Sequence, residues 1–173
     1  QAGDLDNSDT NKVEKYVSNT TTKFHKNAYA LQTPASPHLA AEIDGITIEL
    51  KKIIEPKTKN HLVVEGAGGI YVPLNNSDCV IDLIQPDYKV IVVSRHYLGS
   101  INHTLMTIEI LKSRNLNVAG IVFSGDENKA TESIILEKTN VPMIGRIDNE
   151  PYFDQNVITY YADLFRENLL NLQ

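Results

Sequence analysis

The chain has a single cysteine, Cys79, among 173 residues. It also has no apolar run of the roughly 18 residues that a membrane-crossing helix needs. One thiol excludes an intrachain disulfide and leaves any thiolate metal cluster short of ligands. His25, His38, His61, His96 and His103 show neither His-x-x-x-His nor His-Glu-x-x-His spacing, so a zinc site has no support. The Gly-x-Ser-x-Gly elbow of serine hydrolases is missing as well. Positive charge is in the minority, with 16 Lys and Arg against 22 Asp and Glu and a net charge of -6. That balance argues against nucleic-acid and membrane-surface partners, which call for a basic face. There is no internal repeat, low-complexity tract or interdomain linker, and the first residues carry no secretory pattern. We therefore expect a soluble protein of the reducing cytoplasm, folded as one α/β domain over residues 1–173, that handles small acidic or neutral molecules.

The most telling segment is His61-Leu-Val-Val-Glu65-Gly66-Ala67-Gly68-Gly69. An apolar run that closes on one carboxylate and then breaks into glycines predicts a buried strand feeding a loop. Ligands collect at the carboxyl ends of strands in a parallel sheet. Glycines there let a backbone approach a phosphate or a substrate. An ionised Glu65 at such a point needs a cation or hydrogen-bond donors, which makes it a candidate metal or phosphate-site acid. A solvated Gly-rich turn is the competing reading.

Around this segment the pattern predicts a short helix over 10–18 with Val13, Tyr16 and Val17 on one face, capped by Asp6, Asn7 or Ser8. Pro34 and Pro37 predict an extended loop over 29–38. Residues 39–54 read as mostly helical, with Gly45 as a splitting point. Short apolar pieces at 72–74 and 80–84 flank the polar turn 75–78. Strands follow over 89–94, 118–123 and 141–147, and helices over 101–114, 129–138 and 157–170. The continuous apolar run of the 89–94 strand predicts cover on both faces. Strict alternation from Leu62 onward predicts a parallel sheet.

Four loops can carry chemistry. The first is Glu65 to Gly69, and the second is Ser94 to His103, where Gly99 and Ser100 open a helix with amides free for an anion; an ordinary N-cap by Ser100 or Asn102 is the alternative. The third and fourth, Ser124 to Asn128 and Asp148 to Tyr152, can line a base or ribose pocket or be plain solvated loops. Asp9, with Asp4 and Asp6 nearby, is either a second acid for magnesium or part of a helix cap. His38 and His103 read as packing or hydrogen-bonding residues.

Gly3 with Asn7-Ser8-Asp9, Ser36-Pro37-His38, Val64-Glu65-Gly66-Ala67-Gly68-Gly69, Leu98-Gly99-Ser100-Ile101-Asn102-His103 and Gly120-Ile121-Val122 stand in the order of one known family. Together they resemble dethiobiotin synthetase, the ATP-dependent family of biotin synthesis, over essentially the whole chain. Glu-Gly-Ala-Gly-Gly by itself also fits the related amidoligases of cobalamin synthesis. The resemblance implies a P-loop NTPase-like, doubly wound, mostly parallel sheet with helices on both faces. It implies Mg2+ and ATP, and closure of a cyclic urea from 7,8-diaminopelargonate and CO2 through a carbamate and a carbamic-phosphoric anhydride.

By the same resemblance, Asp9 and Glu65 would hold magnesium, and Asp9, Glu65, Gly66, Gly68, Ser124 and Asp148 would lie along ATP. Ser36 would approach the diamine and its carbamate. Gly99, Ser100 and Asn102 would bind the substrate carboxylate across the interface of a homodimer with shared sites.

The family's Gly-x-x-x-x-x-Gly-Lys-Thr loop and a second lysine in a Lys-Pro pair are not in this sequence, which begins at Gln1. The expectation is that the first strand, the phosphate loop and both catalytic lysines belong to a preceding segment of roughly 30 residues or more. The chain as written would then be inactive alone, with no catalytic residue of its own. Ser124 stands where the family usually has an adenine-reading asparagine, and Asp148 where a proline is common. A non-catalytic dimerising or ligand-binding relative is the alternative, with a cobalamin-type amidoligase as the third reading.

Overall fold

The structure, a computed structural model, describes residues 1–172. They form two compact units, one ending at Ile84 and the other beginning at Gln85.

The first unit has little regular structure. Helix α1 (Asp9–Glu14) is capped by Ser8, whose Oγ accepts the Asn11 N–H at 3.2 Å. It stops short of the expected Ser18 and buries no residue, because Val13 is half exposed and fewer than two turns form. Helix α2 (Pro37–Ile43) starts inside the segment expected to be an extended loop. Pro37 occupies its first turn, where a missing N–H costs nothing and the fixed φ suits the helix. Gly45, at φ +67°, ends the helical stretch expected to run to Ile54, and only a short turn at Leu50–Lys52 follows. The core of this unit gathers Leu31, Ala40, Ala41, Ile48, Leu74 and Val80. Pro73 and Cys79 bridge in antiparallel fashion across the 75–78 turn, as the short apolar pieces suggested.

The expected buried strand at 61–65 does not form. Residues 61–69 are all exposed, Val63 at 92 %, and among the described residues no ladder or bridge includes 61–65. An apolar run states that cover is needed; a strand also needs a neighbour to pair with, and that the run does not supply.

The second unit follows the alternation closely. Strands β1 (Lys89–Arg95), β2 (Asn117–Ser124) and β3 (Met143–Ile147) form a parallel sheet in the order β1-β2-β3. Helices α3 (Ser100–Ser113) and α4 (Lys129–Thr139) make the crossovers, and α5 (Gln155–Leu170) closes the unit. Helix α3 lies against β1, β2 and α4, while α5 lies against β3. Val122 joins Ile144, Tyr161 and Phe165 on the α5 side. By strand alternation its fully buried neighbours Ile121 and Phe123 point to the opposite face, so helices cover both faces. Strand β1 is an edge strand and departs from the expected two-sided cover: Val92 and Ser94 are buried, whereas Ile91 and Val93 are exposed. Among the described residues no helix is long and apolar enough to cross a membrane.

Candidate functional site

In the first unit, the segments that carry Asp9 and Ser36 are tied together. Gly3 N–H donates to the Leu31 carbonyl at 2.8 Å, and Leu31 N–H donates to the Gln1 carbonyl at 2.9 Å. Gly3 sits at φ +67°, where a Cβ would lie 2.7 Å from Pro34 Cβ, so only glycine suits this crossing. Asp44, the residue after α2, fixes the loop that leads to Ser36. Its carboxylate accepts the Thr33 hydroxyl at 2.6 Å and the Gln32 N–H at 2.6 Å. The Thr33 hydroxyl, ahead of the two loop amides, holds the Asp44 carboxyl below its ordinary pKa.

A lowered carboxyl pKa contributes stability that is present above the unfolded value of about 3.9 and is lost as pH falls through the folded one. Asp44→Ala should therefore lower the thermal midpoint at neutral pH, with the gap to wild type closing as the medium is acidified below about pH 4. A gap independent of pH in thermal melts would refute this role for the carboxylate.

Ser36 is the N-cap of α2 but makes no side-chain cap, and its exposed Oγ lies 3.2 Å from His38 Nδ1. His38 is thus a hydrogen-bonding residue, as its setting suggested. Asp9 lies in the first turn of α1 rather than at its cap, and its carboxylate meets Lys12 Nζ at 3.2 Å on the exposed surface. Such an exposed pair is weak and exchangeable. Glu65 is exposed and has no ion-pair or hydrogen-bond partner among the described residues. The glycines after it face valine methyls: a Cβ on Gly66 would meet Val80 Cγ1 at 3.0 Å, and one on Gly68 would meet Val72 Cγ2 at 3.0 Å.

Among the described residues no group of three or more His, Cys, Asp or Glu side chains is arranged to hold a metal ion. Asp9 and Glu65 each offer carboxylate oxygens, the donor type magnesium takes along with waters and phosphate oxygens.

In the second unit the candidates lie after the strands. Ser94 Oγ and Thr104 Oγ1, both buried, are 2.7 Å apart and join the end of β1 to the start of α3. The N-cap of α3 is Gly99, not Ser100 or Asn102. The Ser100 amide, expected to be free, donates to the Tyr97 carbonyl at 3.0 Å, because the chain closes a tight turn before the helix. Asn102 is exposed in the first helical turn, where backbone amides lack intrahelical partners. His103 Nδ1 lies 2.6 Å from the Tyr97 hydroxyl, again in a hydrogen-bonding role.

Ser124 ends β2, and its carbonyl accepts the His96 N–H at 2.8 Å. Asp148, after β3, accepts from Arg146 Nε at 2.7 Å, and its own N–H donates to the Tyr161 hydroxyl at 3.0 Å. That hydroxyl donates to Glu150 at 2.6 Å, and burial, then the Glu150 carboxylate, pushes its pKa up. The two loops touch, with Asn149 N–H donating to Asp126 Oδ1 at 3.4 Å.

Sequence reasoning passed over Arg146, Glu132 and His96, which share this strand end. The available signal was a lone charge inside the apolar strand Met-Ile-Gly-Arg-Ile, since a charge seldom enters such a position unpaired.

A parallel sheet with helical crossovers and polar loops at its carboxyl end defines an α/β protein of the nucleotide-binding kind. A family profile described as an AAA domain matches residues 1–157. The chain is 56 % identical to the ATP-dependent dethiobiotin synthetase BioD of Christiangramia forsetii, over 99 % of this chain and 83 % of that protein. It is 46 % identical to that of Cytophaga hutchinsonii, over 94 % of this chain and 79 % of the relative. The corresponding figures for Chlamydia pneumoniae are 38 %, 96 % and 75 %. This chain belongs to the dethiobiotin synthetase family.

Proposed function

We propose that the protein is an ATP-dependent dethiobiotin synthetase of biotin synthesis. It closes the cyclic urea from 7,8-diaminopelargonate and CO2 with Mg2+, and works in the cytoplasm as a homodimer. The observation that carries this reading is 56 % identity to a dethiobiotin synthetase over 99 % of the chain. The match of one profile to residues 1–157 runs through both compact units and supports reading them as one domain.

In the proposed reaction one amine of the diamine attacks CO2 and loses a proton to give a carbamate. A carbamate oxygen attacks the γ-phosphorus of ATP, ADP leaves, and a carbamic-phosphoric anhydride results. The second amine attacks the carbonyl carbon, the carbon–oxygen bond to phosphate breaks, and phosphate and a proton depart. Such transfers depend on positioning and charge neutralisation rather than on covalent help from the protein.

Asp9 and Glu65 would hold magnesium, which neutralises phosphate charge in the transfer. Ser36, whose hydroxyl lies beside His38, would approach the diamine and its carbamate. With the Ser100 amide held by the Tyr97 carbonyl, the substrate carboxylate of the partner subunit would be received at the start of α3 by the Gly99 backbone, the Ser100 hydroxyl and Asn102. Glu65, Gly66, Gly68, Ser124 and Asp148 would line ATP.

The test is synthesis by the full-length protein: diamine, Mg-ATP and bicarbonate should yield dethiobiotin and ADP in equal amounts. No product above a no-enzyme control would sink the proposal. Binding of the diamine without any ATP dependence would point instead to a non-catalytic relative.

A further inference from the structure

Three acidic side chains from three segments converge on Arg146 at the carboxyl end of the sheet. Its Nη1 lies 3.2 Å from both oxygens of Glu132 on α4 and 3.6 Å from Glu127 in the loop after β2; its Nε donates to Asp148 in the loop after β3 at 2.7 Å. Glu132 is buried, at 7 % exposure, and also accepts the Asn128 N–H at 3.3 Å. Its Oε1 lies 3.5 Å from His96 Nε2, a buried nitrogen without a hydrogen-bond partner among the described residues. His96 Nδ1 is 2.8 Å from the Asp126 carbonyl, so the same cluster reaches the backbone of the 124–128 loop.

Only Glu132 is buried in this group, Arg146 being partly exposed, and such a pair adds little net stability over well-packed apolar replacements, because desolvation offsets the attraction. What the planar fork does supply is geometry: its donors point in fixed directions and set the spacing of the groups they hold. Here Glu127 and Asp148 belong to the 124–128 and 148–150 loops, and Glu132 on α4 holds the Asn128 N–H of the first loop, at the end of the sheet where ligands enter.

We propose that Arg146 is a positioning residue for the nucleotide: through Glu127, Glu132 and Asp148 it fixes the placement of the touching 124–128 and 148–150 loops, against which ATP lies. This rests on the ATP-dependent reading above. Arg146 itself touches no reacting atom, so its loss acts on nucleotide affinity and leaves the diamine alone.

The experiment uses the full-length protein and reads the thermal midpoint, the ATP Kd by calorimetry, and KM for ATP and for the diamine. Arg146→Met should raise the ATP Kd and KM about tenfold and leave the diamine KM within about twofold. Arg146→Lys, which keeps the charge but not the fork, should fall between wild type and Arg146→Met.

Since removing Arg146 alone leaves the buried Glu132 carboxylate without its cation, Arg146→Met/Glu132→Met removes both charges and should restore the thermal midpoint while ATP affinity stays weak. Wild-type ATP affinity in that double variant would overturn the proposal, as would an equal rise in both KM values. Wild-type protein that binds ATP but makes no dethiobiotin would fail the functional reading alone, and the ATP Kd would still decide this one. Wild-type protein that binds no ATP would overturn both.

Discussion

Glu65→Gln in the full-length protein is expected to lower magnesium-dependent turnover about 100-fold, with diamine affinity unchanged within roughly twofold. The substitution keeps the side-chain shape and one carbonyl oxygen but removes the negative charge that would hold a divalent cation beside the phosphates. Nothing in the fold opposes it: Glu65 is exposed and has no partner among the described residues, so the variant should fold as wild type does. That separates the chemical effect from a stability effect. The check is a steady-state rate at several magnesium concentrations beside a direct measurement of diamine binding. Comparable losses in turnover and in diamine binding would place Glu65 elsewhere than at the metal.

Gly145→Ala is expected to destabilise the protein by about 3 kcal/mol, enough to lower the melting temperature by roughly 10 °C for a chain of this size. A Cβ at Gly145 would lie 2.1 Å from Phe165 Cε1 and 2.4 Å from Cδ1. Phe165 is itself buried on the α5 face of the sheet beside Ile144 and Tyr161, so it cannot swing aside without giving up that packing. Shortening the obstacle in Gly145→Ala/Phe165→Leu should recover part of the loss. Urea or thermal unfolding reads both variants. A loss below about 1 kcal/mol in the single variant would mean that β3 and α5 separate easily, contrary to their close approach.

The two experiments address the halves of the chain that differ most in how they could be read. In the second unit each helix carries its own signal. Ile108 and Leu111 recur at helical spacing and are fully buried in α3, and Asn128 caps α4 by accepting the Thr131 N–H at 3.1 Å. These are short-range rules, so the element boundaries over 89–170 fall within a residue or two of expectation. In the first unit the same rules misled. Residues 61–65 satisfy every local requirement of a strand, yet they lie exposed without a ladder. Strand formation depends on a pairing neighbour as much as on its own residues.

The candidate site shows the same division. Gly3, Ser36, Glu65 and the Gly99 to His103 segment were legible as motifs of one family, and the chain belongs to that family. Their surroundings were not. That the Ser100 amide is taken by Tyr97, or that Asp44 anchors the loop before Ser36, depends on where the backbone turns.

The amino-acid sequence by itself determined the class of fold, the alternation of strand and helix in the second unit, and membership of an ATP-dependent family, because periodicity and short ordered motifs are local properties of the chain. Only the tertiary structure decided that Arg146 gathers Glu127, Glu132 and Asp148, that His96 lies buried against Glu132, and that Gly145 must admit Phe165. Those contacts join residues distant along the chain, and charge or size alone does not name a partner until the sheet and its helices bring the two together.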